Sequence, residues 1–203
     1  KAIGANADGG DISFIVTRSE LTDDGKALLG DRPVYDLTVF AGQTPVSTFG
    51  GSKIAVSLPF ALQAGENPNA VIVYHVTEEG ELHIVQGRYN DASGAVEFRT
   101  AHFSQYIIGY NEVAFDDVAD SAWHAKAIAF LAARGIANGT SDKQYSPNAP
   151  VTRGQFIVLL LNAYGIAPEA AGADNFADAG NAYYTDYLAA AKRLGIAGGF
   201  EGN

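Results

Sequence analysis

Apolar residues recur at every second position over roughly the first 110 residues, and this recurrence predicts β-strands. Ile12, Phe14 and Val16 alternate in DISFIVTR, Tyr35, Leu37 and Val39 in VYDLTVFA, and Ile54, Val56 and Leu58 in KIAVSL. Four more runs continue the series: AVIVYHV at 70–76, ELHIVQGRY at 81–89, AVEFR at 95–99 and SQYIIGY at 104–110. Turn-forming stretches such as AGQTP, EEGE and DASG separate them. Seven short strands so spaced predict an antiparallel β-sandwich.

From about residue 113 the period lengthens to that of a helix. Trp123, Ala127, Phe130 and Leu131 share one predicted face, and Phe156, Leu159, Leu160 and Ala163 share another. Gly-Ile occurs at 135–136, 165–166 and 195–196, an interval of 30 each time. A left-handed glycine followed by an apolar residue that folds back on the last turn is the Schellman closure, so three helices at fixed spacing are predicted. A longer interval of about 60 relates FDDV (115–118) to FADA (176–179), and RGIANG (134–139) to LGIAGG (194–199). The repeating unit is thus a pair of helices, and such repeats bury their faces against each other. The chain reads as multidomain, all-β plus all-α: a sandwich over 1–110, a first helical repeat over 111–172 and a partial second over 173–203.

Composition narrows the chemistry. The 203 residues are 47% apolar and 18% charged, which is globular and not disordered. A net charge of −10 without a Lys/Arg cluster argues against nucleic acid as a partner. The longest apolar run, FIVLLL at 156–161, falls far short of the ~20 residues of a membrane span, so no membrane insertion is expected. Absence of Cys removes disulfides and thiolate zinc sites. No metal site or cofactor is expected. A first residue of Lys1 and the lack of any Met lead us to expect a fragment of a larger, exported protein, with any enzyme or further adhesive module elsewhere in it.

The segment VTRGQFIVLL (151–160) holds the main candidate site. Thr152 and Gln155 have the spacing of a capping box, which leaves Arg153 and Gly154 in the exposed first turn. The helix dipole disfavours a cation there by ~0.3–1 kcal/mol. Free amides joined by a guanidinium suit a carboxylate ligand, and a glycine allows close approach to the backbone. The same residues also fit a plain cap with a solvated or structurally paired arginine. Asp117 in FDDV either braces a turn, pairs with Arg153 or meets a ligand. Trp123 is either core or a flat exposed aromatic face. Its counterpart is Tyr183 or Tyr184, because the intervals of 60 and 61 disagree by one residue.

Several ordered motifs over about 113–203 resemble the S-layer homology repeat of bacterial surface proteins. They are Phe-x-Asp-Val at 115–118, an aromatic before the first helix, Gly-Ile-x-x-Gly after it, Tyr145-Ser146-Pro147, and Thr-Arg-x-Gln at 152–155. The resemblance implies an exported protein of the Gram-positive cell surface, held on the wall or S-layer by secondary cell-wall polysaccharide. It implies a pyruvylated sugar as ligand, grooves between adjacent repeats, and Arg153 as the contact to the acidic sugar, with Thr152, Gly154, Asp117 and Trp123 around it. The family usually has three repeats; this chain holds one and part of another, without a second Thr-Arg motif and with FADA for Phe-x-Asp-Val.

A second motif, His102-Phe103-Ser104, resembles the self-cleaving sites of some nucleoporins and of β-sandwich domains in signalling scaffolds. That resemblance implies attack of Ser104 on the Phe103 carbonyl with His102 assisting, and cleavage between Phe103 and Ser104. A turn histidine and a strand-start serine making local hydrogen bonds would leave the same sequence. The sandwich could also be a carbohydrate-binding accessory module of a larger surface glycoside hydrolase. No other catalytic constellation stands out, so the chain itself is expected to bind and not to catalyse.

Overall fold

Strand β2 (Pro33–Ala41) buries Tyr35, Leu37 and Val39, the three positions that alternation assigns to the interior. In the computed structural model, which describes residues 11–47, 49–169 and 174–199, β2 lies in the larger of two antiparallel sheets. That sheet runs β1 (Ile12–Glu20), β2, β9 (Gln105–Tyr110), β5 (Val71–Val76) and β6 (Leu82–Val85), with the short β3 (Thr44–Pro45) also paired to β2. The smaller sheet is β4 (Ile54–Pro59), β8 (Ala95–Thr100) and β7 (Gly87–Asn90). Leu58, Val96 and Phe98 from it meet Tyr35, Leu37, Val71, Val73, Tyr106 and Ile108 in one core, as two stacked sheets require.

The strands number nine among the described residues, not seven, for two reasons. The run 81–89 is two strands: β6 pairs with β5 and β7 with β8, so the chain changes sheet at Gln86. The pairing of β3 was too short to leave a period. A helix, α1 (Asp23–Leu29), also falls between β1 and β2; the Thr22 hydroxyl accepts the Gly25 amide at 3.3 Å, a capping signal that the alternation on either side hides.

Strand β1 departs from expectation in burial. Its register with β2 puts Ile12, Phe14, Val16 and Arg18 opposite Ala41, Val39, Leu37 and Tyr35, on the core face. Yet every β1 residue is exposed, Phe14 by 60%. The three-stranded sheet is narrower than the sheet it covers, and β1 lies at the wider sheet's edge.

The first unit spans Lys1–Val113 and the second Ala114–Asn203. In the second, α2 (Ala125–Ala133), α3 (Arg153–Tyr164) and α4 (Thr185–Arg193) all end in the same way. The amides of Gly135, Gly165 and Gly195 bond to the carbonyls of Ala132, Asn162 and Lys192; those of Ile136, Ile166 and Ile196 bond to Leu131, Leu161 and Ala191. These are the paired bonds of a Schellman closure. The expected repeat junction at 172–173 lies outside the described residues.

The buried helix faces differ from the predicted ones. Helix α3 buries Ile157 and Leu161 against Ala190 and Ala191 of α4, while Phe156 is exposed. Helix α2 buries Ile128, Ala132 and Ala133 and leaves Ala127 outside. Both helices are apolar almost all round, so periodicity cannot select a face and the neighbouring helix does.

One buried charge pair ties the first unit together. Arg32 and Glu66 form an ion pair with both side chains 9% exposed, the Arg32 guanidinium lies 5.3 Å from the centre of the Tyr110 ring, and Glu66 accepts the Gln63 amide at 2.9 Å. Burial raises the Glu66 pKa, but the hydrogen bond from Arg32, the Gln63 amide and the Arg32 charge outweigh it, and the carboxyl sits below its ordinary value. A lowered folded pKa contributes stability that is full above the ordinary glutamate value of about 4.3 and is lost as pH falls through the folded value. Urea unfolding followed on β5 and β9 amide resonances is therefore expected to show stability falling below about pH 4. Glu66→Gln should cost ~3–5 kcal/mol at pH 7, as breaking buried pairs does, and flatten that acid slope.

Candidate functional site

The start of α3 is built as its spacing predicts. The Gln155 amide donates to the Thr152 hydroxyl oxygen at 3.3 Å, and Gln155 Oε1 accepts the Thr152 amide at 2.9 Å and the Thr152 hydroxyl at 3.1 Å. Both halves of the capping box are thus present, and the backbone enters the helix at a fixed angle. The Arg153 and Gly154 amides, which a first turn leaves without intrahelical acceptors, have no partner among the described residues. Arg153 likewise has no ion-pair partner there.

These groups border a groove of about 720 Å³ within the second unit. Thr152, Arg153, Gly154 and Phe156 form one wall; Asp178 and Tyr184 belong to the other. The Gly198-Gly199 segment after α4 also lines it. The groove therefore joins a guanidinium, free helix-start amides, aromatic surface and one carboxylate. That combination can hold a carboxylate-bearing ligand while offering Asp178 to hydroxyl groups.

Gly154 serves differently from expectation. A Cβ built there would lie 2.9 Å from the Tyr184 ring, so the missing side chain makes room for the tyrosine and not for a ligand on the backbone. Tyr184 stands just before α4, as His124 stands just before α2. The preceding aromatics, Tyr183 and Trp123, make the same edge contact with their neighbours, at 5.3 Å and 5.2 Å between centres. Tyr183 is thus the counterpart of Trp123 at the interval of 60; the extra residue lies between FDDV and Trp123. Trp123 is 92% exposed and does not line the groove, which corrects its grouping with Arg153. It precedes the first helical residue, so helical spacing did not govern it.

Asp117 is also elsewhere. Its two oxygens accept the Tyr145 amide at 2.9 Å and the Ser146 amide at 2.7 Å, bracing the loop on which Ser146 takes a left-handed conformation. The Tyr145 amide is the main cause of an Asp117 pKa below the usual range, with the Ser146 amide adding to it. No ion pair joins Asp117 to Arg153, and Asp117 does not line the groove. Its position in the second repeat, Asp178, does line it. Tyr184, Phe156 and Asp178 were the groove residues that motif reading missed. Of the three, only Tyr184 had a signal, as one of two candidate partners of Trp123.

In the first unit, His102, Phe103 and Ser104 each engage partners outside the tripeptide. The Ser104 hydroxyl donates to the Val76 carbonyl at 3.4 Å, and the His102 ring packs edge-on against His75 with centres 4.5 Å apart. No hydrogen bond joins His102 to Ser104 among the described residues. Burial, followed by the charges of His102 and His83, lowers the His75 pKa. Phe103 fills the core beside Phe49, and the His102 carbonyl accepts the Thr100 and Tyr106 hydroxyls at 2.7 Å and 2.9 Å. The tripeptide is a strand-start lock. Left-handed non-glycine backbone occurs only at Ser146 among the described residues, so stored strain of that kind is absent here too.

Residues 114–157 match the S-layer homology domain. An amylopullulanase of Thermoanaerobacterium thermosulfurigenes is 31% identical over 143 residues, which cover 70% of this chain and 8% of that protein, and which reach beyond the second unit into the first. An endo-1,4-beta-xylanase A of Thermoanaerobacterium saccharolyticum is 38% identical over 85 residues, 41% of this chain and 7% of the relative. The surface-layer 125 kDa protein of Lysinibacillus sphaericus is 33% identical over 94 residues, 45% of this chain and 8% of the relative. This chain thus spans less than a tenth of the length of these relatives. No solved structure matches it.

The packing of Tyr184 on Gly154 sets a test of the groove wall. Alanine is a better helix former than glycine by ~1 kcal/mol, yet Gly154→Ala is expected to destabilise the helical unit because its methyl meets the ring. In a Tyr184→Ala background the same change should stabilise by ~0.5–1 kcal/mol. Thermal unfolding of the four proteins of this double-mutant cycle measures that reversal of sign.

Proposed function

Residues 114–157 match the S-layer homology domain, and from that premise we propose that the groove at Arg153 holds the acidic group of a secondary cell-wall polysaccharide, with a pyruvylated sugar as the preferred unit. The domain matched by residues 114–157 is an anchoring module of exported, surface-located proteins.

The observation that carries the finer reading is that Arg153 lines a groove without an ion-pair partner among the described residues, beside two amides that likewise have none there. A ketal carboxylate would meet charge-assisted donors there, together with the positive end of α3. Phe156 and Tyr184 offer apolar surface for a sugar ring, and Asp178 accepts from hydroxyls.

The relatives named amylopullulanase and endo-1,4-beta-xylanase favour a further reading of the whole protein, in which this chain is the wall-binding part of a surface glycoside hydrolase. The sandwich would then be an accessory module between enzyme and anchor.

Sedimentation with purified cell-wall sacculi tests the site. Wild type is expected to pellet with intact sacculi, and to lose most of that binding when the polysaccharide is stripped or the ketal is removed by mild acid. Arg153→Ala should weaken binding at least tenfold, about 1.4 kcal/mol. Binding indifferent to all three changes would reject the groove as the anchor.

A further inference from the structure

The first unit holds a second pocket, of about 200 Å³, in the sandwich and separate from the anchoring groove. Arg18 from β1, Asp31 and Arg32 from the segment before β2, Tyr35 from β2, and Phe60 and Gln63 from the segment after β4 line it. The register explains the convergence: Arg18 is the cross-strand partner of Tyr35, so both leave the sheet on its core face. Tyr35 in turn donates its hydroxyl to the Pro59 carbonyl at 3.0 Å, which holds the start of the Phe60–Gln63 segment against β2.

The arginines are the unusual part. Arg32 gives Nη2 to Glu66, but its Nη1 is buried and has no hydrogen-bond partner. A buried donor left in that state costs ~1–3 kcal/mol. Arg18 has no salt-bridge partner among the described residues. Two guanidinium groups therefore line one small cavity in a chain of net charge −10, where carboxylates to neutralise them are plentiful.

The remaining lining decides the class of ligand. Glu66 already offsets one of the two positive charges, and Asp31, with Lys26 at 4.0 Å, adds a negative one at the rim. The lining is thus near neutral overall, which opposes a doubly charged phosphate and leaves the Arg18 guanidinium, without a salt-bridge partner among the described residues, to receive a single carboxylate. Asp31 and Gln63 can accept from hydroxyls, and Phe60 supplies an apolar wall. The volume equals that of about seven waters at ~30 Å³ each, the size of one monosaccharide. From this geometry we infer that the pocket binds a single sugar acid, its carboxylate held by Arg18 and Arg32 and its hydroxyls by Asp31 and Gln63.

The test is a titration of the full ¹⁵N-labelled chain with sodium glucuronate and, in parallel, with glucose at fixed ionic strength. Saturable shifts at the Arg18, Arg32 and Gln63 amides are expected with glucuronate, at least tenfold weaker with glucose. Arg18→Ala, on an exposed strand, should abolish them with the fold intact; Arg32→Met/Glu66→Leu, which removes the charge pair as a unit, should do the same. Arg153→Ala should leave them unchanged, which separates this pocket from the anchoring groove. Equal response to glucose, shifts that survive Arg18→Ala, or no saturable response would overturn the assignment.

Discussion

Helix α3 has no side chain at position 154, and the ring of Tyr184 takes up the space. That contact sets how close the start of α3 comes to the segment leading into α4, and the groove forms beside it. Deeper along the same pair of helices, Ile157 and Leu161 pack on Ala190 and Ala191, small residues that allow close approach there too. The capping box then fixes where Arg153 projects, because Thr152 and Gln155 hold the first turn through reciprocal hydrogen bonds. Packing, capping and site are thus consecutive consequences of one close approach.

The electrostatic character of the protein gives the two units a common logic. With acidic groups in excess, several cations among the described residues find a partner: Arg88 meets Glu97, Lys192 meets Asp174 and Arg193 meets Glu169. Among the described residues, Arg153 in the second unit and Arg18 in the first have no such partner. Exposed ion pairs contribute little to stability, so a cation without one costs the fold little and remains available to a ligand.

His102-Phe103-Ser104 illustrates the limits of a short motif. Three residues shared with self-cleaving sites predict chemistry only if the histidine reaches the serine. Here the hydroxyl bonds to a main-chain carbonyl, and the histidine packs edge-on against another histidine. The residues that give the tripeptide its place are the core partners of Phe103, which lie far away in sequence.

The sequence alone determined everything that depends on local spacing. Alternation marked the interior of β2 and β4, the 30-residue interval located three helix ends, and Thr152–Gln155 announced its cap, because these are interactions between residues close along the chain. Tertiary structure decided the rest. Which face of α3 is buried depended on α4, since an all-round apolar helix carries no directional signal. Exposure of β1 depended on the width of the opposite sheet. Removal of Asp117 and Trp123 from the groove, and entry of Tyr184 and Asp178 into it, depended on how one repeat meets the next. Such contacts join positions dozens of residues apart, and no periodicity encodes them.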